Sequence, residues 1–379
     1  MITQEALERL AAVRDDRALI TSLYLNVDGR HFIRREDYRT PLRELMREWR
    51  GRLEKLELTR EERQVVQEDL DRLAKFVADE FERKGARGVA AFAAGALGLW
   101  EVYPLPCPVR NELVVDRRPY VRPLAQLLAT NRRFCTVVVD RSKARVFEVF
   151  LGEIQEHSYI LDEVPARVRA GGWSGYEEKR IEGHIAEHVH RHYKRVADVV
   201  QEFFRRRRFN FLILGGPRET LPEFERHLHT DLADRIAVRI VAEPDIPLQE
   251  VLARSLEVER DLRVQEEQRV VGRLLNEVGG KGFGVGGVRD TLMALKAGQV
   301  HTLLVQEERA LPGRLCLACG FFDPDRAECP FCRTPLESVA DVFEMAVGEA
   351  VRQGAQVFPV AQGKGLEPFG GLGALLRFR

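Results

Sequence analysis

Four cysteines in the pattern Cys316-x-x-Cys319-x9-Cys329-x-x-Cys332 constrain this chain more than any other feature. Two thiol pairs, each in a tight turn, surround one tetrahedral ion and fill every position on it. The spacing therefore predicts a closed structural zinc site in a mini-domain over about 314–335. Gly320 and Pro330 stand where such turns bend. Metal binding on the order of 10 kcal/mol would hold together a segment too small to fold alone. Four unrelated buried thiols, or a redox CxxC pair, are the alternatives. Cys107 and Cys135 are isolated and read as core residues.

The rest of the chain is long enough to bury real cores. At about 100–200 residues per domain, 379 residues suggest two to four domains. Apolar residues make up 45%, too many for disorder, although 31% are charged. Lys+Arg and Asp+Glu each total 59, which excludes a globally basic coat and an acidic tail. Any polyanion site must be local. No apolar run approaches the ~20 residues of a membrane span. The first sixteen residues read as an amphipathic helix rather than a secretion signal. The expectation is a soluble, cytoplasmic protein with no membrane partner.

Three blocks follow one another without internal repeats. In residues 1–130, a strand (22–27) precedes two charged helices, about 34–56 and 60–84. Two paired strands follow (88–95 and 97–105). Residues 131–246 open with a hairpin (134–140 and 144–154) and a third strand (155–160). A loop, a helix from about 176 to 208 and two buried strands (209–216 and 236–243) complete this block. Strands that first run in series and then alternate with helices indicate an α/β layer on a mixed sheet. Residues 247–379 begin with a charged helix to about 278. A glycine-rich turn (279–287), a helix and the strand at 300–307 come next. The cysteine segment, a helix near 337–353 and two closing strands end the chain. The fold class is α/β (α+β).

The loop from Val164 to Gly175 carries the adjacent glycines Gly171 and Gly172, then Trp173 and Ser174, with Arg167 and Arg169 before them. Paired glycines remove side-chain bulk and let a backbone press against a crowded centre. A flexible surface loop is the plainer alternative. The following helix has an apolar stripe at steps of three or four: Ile181, Ile185, Val189, Tyr193, Val196, Val200 and Phe203. Lys179, Arg180, His184, Arg191, Lys194 and Arg195 lie beside it. Residues 164–209 hold eleven Lys/Arg against six Asp/Glu, a local surplus in a neutral chain. That suits phosphate contacts, although a solvated helix face explains it too. His184, Glu187 and His188 match the H-x-x-E-H zinc-peptidase pattern, with no third ligand evident. RNA contact and packing are the other roles for these histidines. The segment at 279–287 lacks the terminal Lys-Ser/Thr of a phosphate loop.

These features, in this order, resemble the archaeal and eukaryotic class-1 peptide-chain release factors and their relative Pelota. Phe369 to Phe378, FGGLGALLRF, is similar to that superfamily's closing FGGIGAILRY pattern. Val288 to Val305 is similar to the helix and strand opening its third domain, where a cysteine-rich mini-domain is inserted next. The resemblance covers about 131–379 and points to the bacterial and archaeal release-factor-like branch. It implies an N-terminal α/β domain (1–130), an RNase H-like middle domain (131–246) and a C-terminal α/β sandwich with the zinc insertion (247–379).

It also implies that Gly171, Gly172 and Trp173 stand where the family has its GGQ tripeptide, followed by Ser174. In the family that loop enters the peptidyl-transferase centre and assists water attack on the peptidyl-tRNA ester. The implied partners are the large ribosomal subunit, peptidyl-tRNA and rRNA, with a translational GTPase on the third domain. The first block lacks the NIKS-type and YxCxxxF-type motifs of stop-codon readers, so stop-codon decoding is not expected. A non-catalytic ribosome- or RNA-binding factor and a tRNA-cleaving nuclease are the competing functions.

Overall fold

The computed structural model describes residues 2–13, 15, 18–54, 56, 58–130, 132–150, 152–162 and 175–378, without the side chains of residues 35 and 175–182. Contacts divide the chain into two compact units, Met1–Thr130 with Gln265–Arg379, and Asn131–Val264. The first and last sequence blocks thus share a unit, and the middle unit runs past residue 246.

In the N-terminal block, α1 (Gln4–Ala12) is capped by Thr3, whose hydroxyl accepts from the Ala6 N–H. Strand β1 (Ile20–Asn26) is followed by α2 (Arg35–Leu53) and α3 (Arg60–Lys75). Thr59 and Glu62 cap each other's backbone N–H at the start of α3. Strands β2 (Gly88–Ala94), β3 (Leu99–Leu105) and β4 (Glu112–Asp116) complete an antiparallel sheet of order β3-β2-β1-β4. Leu23, Leu25, Val89 and Ala91 pack under Leu42, Met46, Leu70 and Leu73 of α2 and α3. Helix α4 (Arg122–Thr130) ends the block. This helix is absent from the sequence expectations, although Leu124, Leu127 and Leu128 recur at helical spacing and pack on one core.

The middle unit holds β5 (Phe134–Val139), β6 (Lys143–Phe150), β7 (Glu153–Leu161), α5 (Gly175–Arg207), β8 (Phe211–Gly216), α6 (Thr220–Glu225), α7 (Thr230–Ala233) and β9 (Ile236–Val241). The sheet order is β7-β6-β5-β8-β9. Pairings are antiparallel from β7 to β5 and parallel from β5 to β9. Three antiparallel strands are thus extended by two parallel ones in a mixed sheet. Alternation along β5 and β8 splits the core in two. Cys135, Val137, Val139, Leu212 and Leu214 meet the apolar stripe of α5. Phe134, Val138 and Ile213 face the other way, where Val251, Leu252 and Leu256 of α8 (Leu248–Gly279) cover them.

The C-terminal block contains β10 (Gly284–Gly286), α9 (Val288–Lys296), β11 (Val300–Gln306), β12 (Gly313–Leu315), β13 (Phe322–Asp323), β14 (Glu337–Val339), α10 (Val342–Arg352), β15 (Gln356–Val360) and β16 (Leu372–Leu376). Its main sheet has the order β10-β16-β11-β15, and a small β13-β12-β14 sheet supports the cysteine segment. Two sequence expectations change here. The glycine-rich stretch is not only a turn: β10 pairs with β16, and a Cβ on Gly286 would collide with the Phe369 ring. Residues 337–339 form a strand rather than helix, because α10 starts only after Asp341, whose Oδ1 accepts from the Phe343 N–H at 2.9 Å.

The second face of the N-terminal sheet, with Tyr24, Ala90, Phe92 and Tyr103, shares one core with Leu295, Leu303, Phe343 and Val347 of the C-terminal block. Cys107 is half-buried rather than core, whereas Cys135 is fully buried.

Candidate functional site

The Sγ atoms of Cys316, Cys319, Cys329 and Cys332 lie within 4.8 Å of one another. Each CxxC bends the same way. The Gly320 N–H donates to the Cys316 carbonyl at 2.8 Å, and the Arg333 N–H to the Cys329 carbonyl at 3.0 Å. The residue after each second cysteine, Gly320 (φ 73°) or Arg333 (φ 59°), adopts a left-handed turn. Both knuckles thus aim their thiols inward. The closest cross-pairs are Cys316–Cys332 at 3.3 Å and Cys319–Cys329 at 3.4 Å, well beyond a disulfide bond. Hydrogen bonds from Thr334 pull the exposed Cys332 thiol down to about 6. Desolvation pushes the half-buried Cys319 thiol up to about 12, since its sulfur sits among the other three. Four soft sulfur donors with no open position fit a structural zinc ion and leave no place for substrate.

The second candidate is α5. Its 33 residues make a rod about 50 Å long. Val189 is the first buried residue along it among those whose side chains are described. Ile185 packs against the edge of the middle core, and Tyr193, Val196, Val200 and Phe203 anchor the helix against the sheet. Of the residues singled out in the sequence, Gly171, Gly172, Trp173, Ser174, Arg167 and Arg169 lie outside the described residues. Lys179 and Arg180 are on α5, with side chains outside the description. His184, Arg191, Lys194 and Arg195 are exposed. The His184 and His188 rings approach to 4.6 Å, but among the described residues only the four cysteines group as metal ligands.

Sequence reasoning missed the anchor at the other end of the loop. Asp162 is the last described residue before it, and Ser174 directly precedes α5. The buried His192 donates from Nδ1 to Asp162 Oδ2 at 2.7 Å, and Arg195 donates to Oδ1 at 2.6 Å. The Asp162 N–H donates to the Ser142 carbonyl at 2.8 Å. Burial works against the Asp162 carboxylate, but the His192 hydrogen bond and the Arg195 charge outweigh it and hold its pKa below the usual range. The two residues that flank segment 163–174 are thus Asp162, bonded to α5, and the first residue of α5 itself. The only sequence signal was an acidic residue just before the loop. Its partners are thirty residues away, which local patterning does not reach.

Among the described residues no helix is long and apolar enough to cross a membrane. Residues 119–260 match the family described as bacterial archaeo-eukaryotic release factor family 10. The chain is 25% identical over 339 residues to a peptide chain release factor subunit 1 of Pyrococcus abyssi, covering 81% of this chain and 79% of the relative. Solved structures that align with all of this chain include the following two. The crystal structure of an archaeal translation termination factor does so at 21% identity, 99% coverage of that chain and a TM-score of 0.28. Archaeoglobus fulgidus Pelota does so at 15% identity, 93% coverage and a TM-score of 0.34.

Proposed function

As a member of the release-factor and Pelota superfamily, this chain is, we propose, a ribosome-associated factor that promotes hydrolysis of peptidyl-tRNA on stalled ribosomes or large subunits without reading a stop codon. The carrying observation is α5: a long helix rooted in the middle core, with the Gly171-Gly172-Trp173-Ser174 segment preceding its first residue in the sequence. The exposed cations Arg191 and Lys194, with Arg195 bound to Asp162, give the solvent face of this helix the charge to meet rRNA or the tRNA acceptor end.

In the proposed reaction, Gly171 and Gly172 let the loop approach the ester that joins peptide to tRNA. Water attacks the carbonyl carbon, the ester C–O bond breaks, and the products are a peptide carboxylate and a tRNA with a free hydroxyl. The Trp173 backbone N–H donates to the oxyanion that develops, a contribution of about 3–4 kcal/mol for one well-placed donor. The indole has no amide with which to orient water, so this loop relies on its backbone.

The cysteine cluster holds structural zinc in this reading. Zinc supplies folding energy to the mini-domain and no step of the reaction. The C-terminal block is the docking surface for a translational GTPase.

The test adds purified chain to stalled large subunits carrying labelled peptidyl-tRNA. Peptide release that Gly172→Ala abolishes supports the reading. No release above background, with Gly172→Ala identical to wild type, refutes the enzymatic part. Trp173 itself favours a second reading, a ribosome-binding factor without hydrolysis. Release by Trp173→Gln where wild type shows none selects that reading.

A further inference from the structure

A cleft of about 340 Å³ opens in the middle unit between α5, the β5–β6 turn and the segment after α6. Ile185, Ala186 and Val189 give it an apolar wall, and Tyr193 lies at its base. Arg141 and Arg226 stand at its sides, both exposed. Among the described residues neither guanidinium has an ion-pair partner, and Glu223 is the one carboxylate in the lining.

Two histidines complete the cleft, and their proton positions follow from their partners. His227 Nδ1 lies 2.9 Å from the Glu223 carbonyl, which only accepts, so His227 carries its proton there. Its Nε2 then accepts from His190 Nδ1 at 2.9 Å when both rings are neutral. His190 is left with a lone pair on Nε2, on an exposed ring. One concave surface thus offers two cationic planes, the exposed His190 imidazole and an acceptor atom.

We propose that this cleft, lined by Arg141, His190, Arg226 and His227, binds one unstacked nucleotide of single-stranded RNA. The guanidiniums take the phosphate, and the exposed His190 ring stacks on the base, held at 62° to the His227 ring that fixes its orientation; its in-plane Nε2 accepts from a ribose hydroxyl group. Duplex RNA keeps its bases stacked and cannot fill the apolar wall. A free phosphate satisfies the arginines alone. The cleft lies on the same helix as the basic face, and the proposal rests on the ribosome-associated reading while adding a contact outside the residues already assigned to RNA.

The experiment titrates the full chain with a short fluorescent single-stranded oligoribonucleotide at several salt concentrations. Arg141→Gln and Arg226→Gln each lower the salt slope by about one, because each removes one phosphate contact. His190→Ala weakens binding by about tenfold through lost stacking. Arg47→Gln, an exposed change in the other unit, leaves binding unchanged. Thermal melting confirms that each variant folds. Binding that ignores all three cleft substitutions overturns the proposal. So does equal affinity for duplex RNA, full displacement by inorganic phosphate at equal concentration, or stronger binding of a phosphopeptide.

The ribosome reading is tested separately by co-sedimentation. Loss of sedimentation with intact oligonucleotide binding refutes that reading alone. Sedimentation with cleft variants that bind the oligonucleotide as wild type does refutes the cleft alone.

Discussion

Arg122 of α4 donates from Nη1 to Asp341 Oδ2 at 3.0 Å, an ion pair that joins the N-terminal block to the cap of α10. The same guanidinium reaches the Arg309 carbonyl at 2.8 Å and the Gln306 carbonyl at 2.9 Å. The bonding runs both ways. Glu344 Oε1 accepts from the Val121 N–H at 2.9 Å, at the start of α4. Arg122 is 5% exposed, so its charge depends on these partners.

Truncating Arg122 removes the cation paired with Asp341, leaving that carboxylate only the Leu311 and Phe343 N–H groups on Oδ1, and takes this donor from the Arg309 and Gln306 carbonyls. Arg122→Ala is expected to destabilise the first unit by about 3–5 kcal/mol. Urea denaturation followed by far-ultraviolet circular dichroism measures this. A loss below about 1 kcal/mol would mean that water replaces the guanidinium without cost.

Burial pushes the Glu344 carboxyl up to about 8, against the pull of Arg122 and the Val121 N–H. The unfolded chain releases this proton near 4.5. Between those values the folded state holds a proton that the unfolded state has lost. The stabilisation is complete below the lower value and lost as pH rises through the upper one, by up to about 1.4 kcal/mol per pH unit. Glu344→Gln removes this titration. The stability of the variant relative to wild type should therefore climb from about pH 4.5 to about 8. A difference that stays flat across that range contradicts the buried, protonated carboxyl.

Asp162→Ala leaves the buried His192 N–H without its acceptor, a cost of about 1–3 kcal/mol. Arg195→Ala removes an exposed partner of the same carboxylate and is expected to cost less than about 1 kcal/mol. Comparing the two by chemical denaturation checks the order. The reverse ranking would show that the surface pair is the stronger hold on Asp162.

Purified chain should carry about one zinc ion, read by elemental mass spectrometry. Cys316→Ser or Cys329→Ser should abolish it, since both thiols are buried in the cluster. A chelator should then expose the segment between β12 and β14 to protease. Metal-free protein that resists protease as well as the loaded form does would remove zinc from the account.

Gly371 has φ 87°, and a Cβ there would lie 2.7 Å from Arg309 Cδ and 2.8 Å from Gln306 Oε1. Gly371→Ala is expected to cost about 1–3 kcal/mol. A melting temperature equal to that of wild type would show that this turn relaxes freely.

The sequence by itself determined the local elements and the chemistry that repeats at short spacing. The two CxxC pairs specified their own cluster, because four thiols at that spacing have one compact arrangement around an ion. The stripe from Val189 to Phe203 specified the buried face of α5, because a helix repeats every 3.6 residues. What the sequence left undecided joins distant residues. Apolar runs such as β2 are compatible with burial on either or both faces, and only the C-terminal block, packed on Phe92 and Tyr103, decides for both. Asp162 with His192, Arg122 with Asp341, and His190 with His227 are pairs separated by 30, 219 and 37 residues. Periodicity reads neighbours along one element. Burial of these polar groups depends on partners that only the folded chain brings within hydrogen-bond reach.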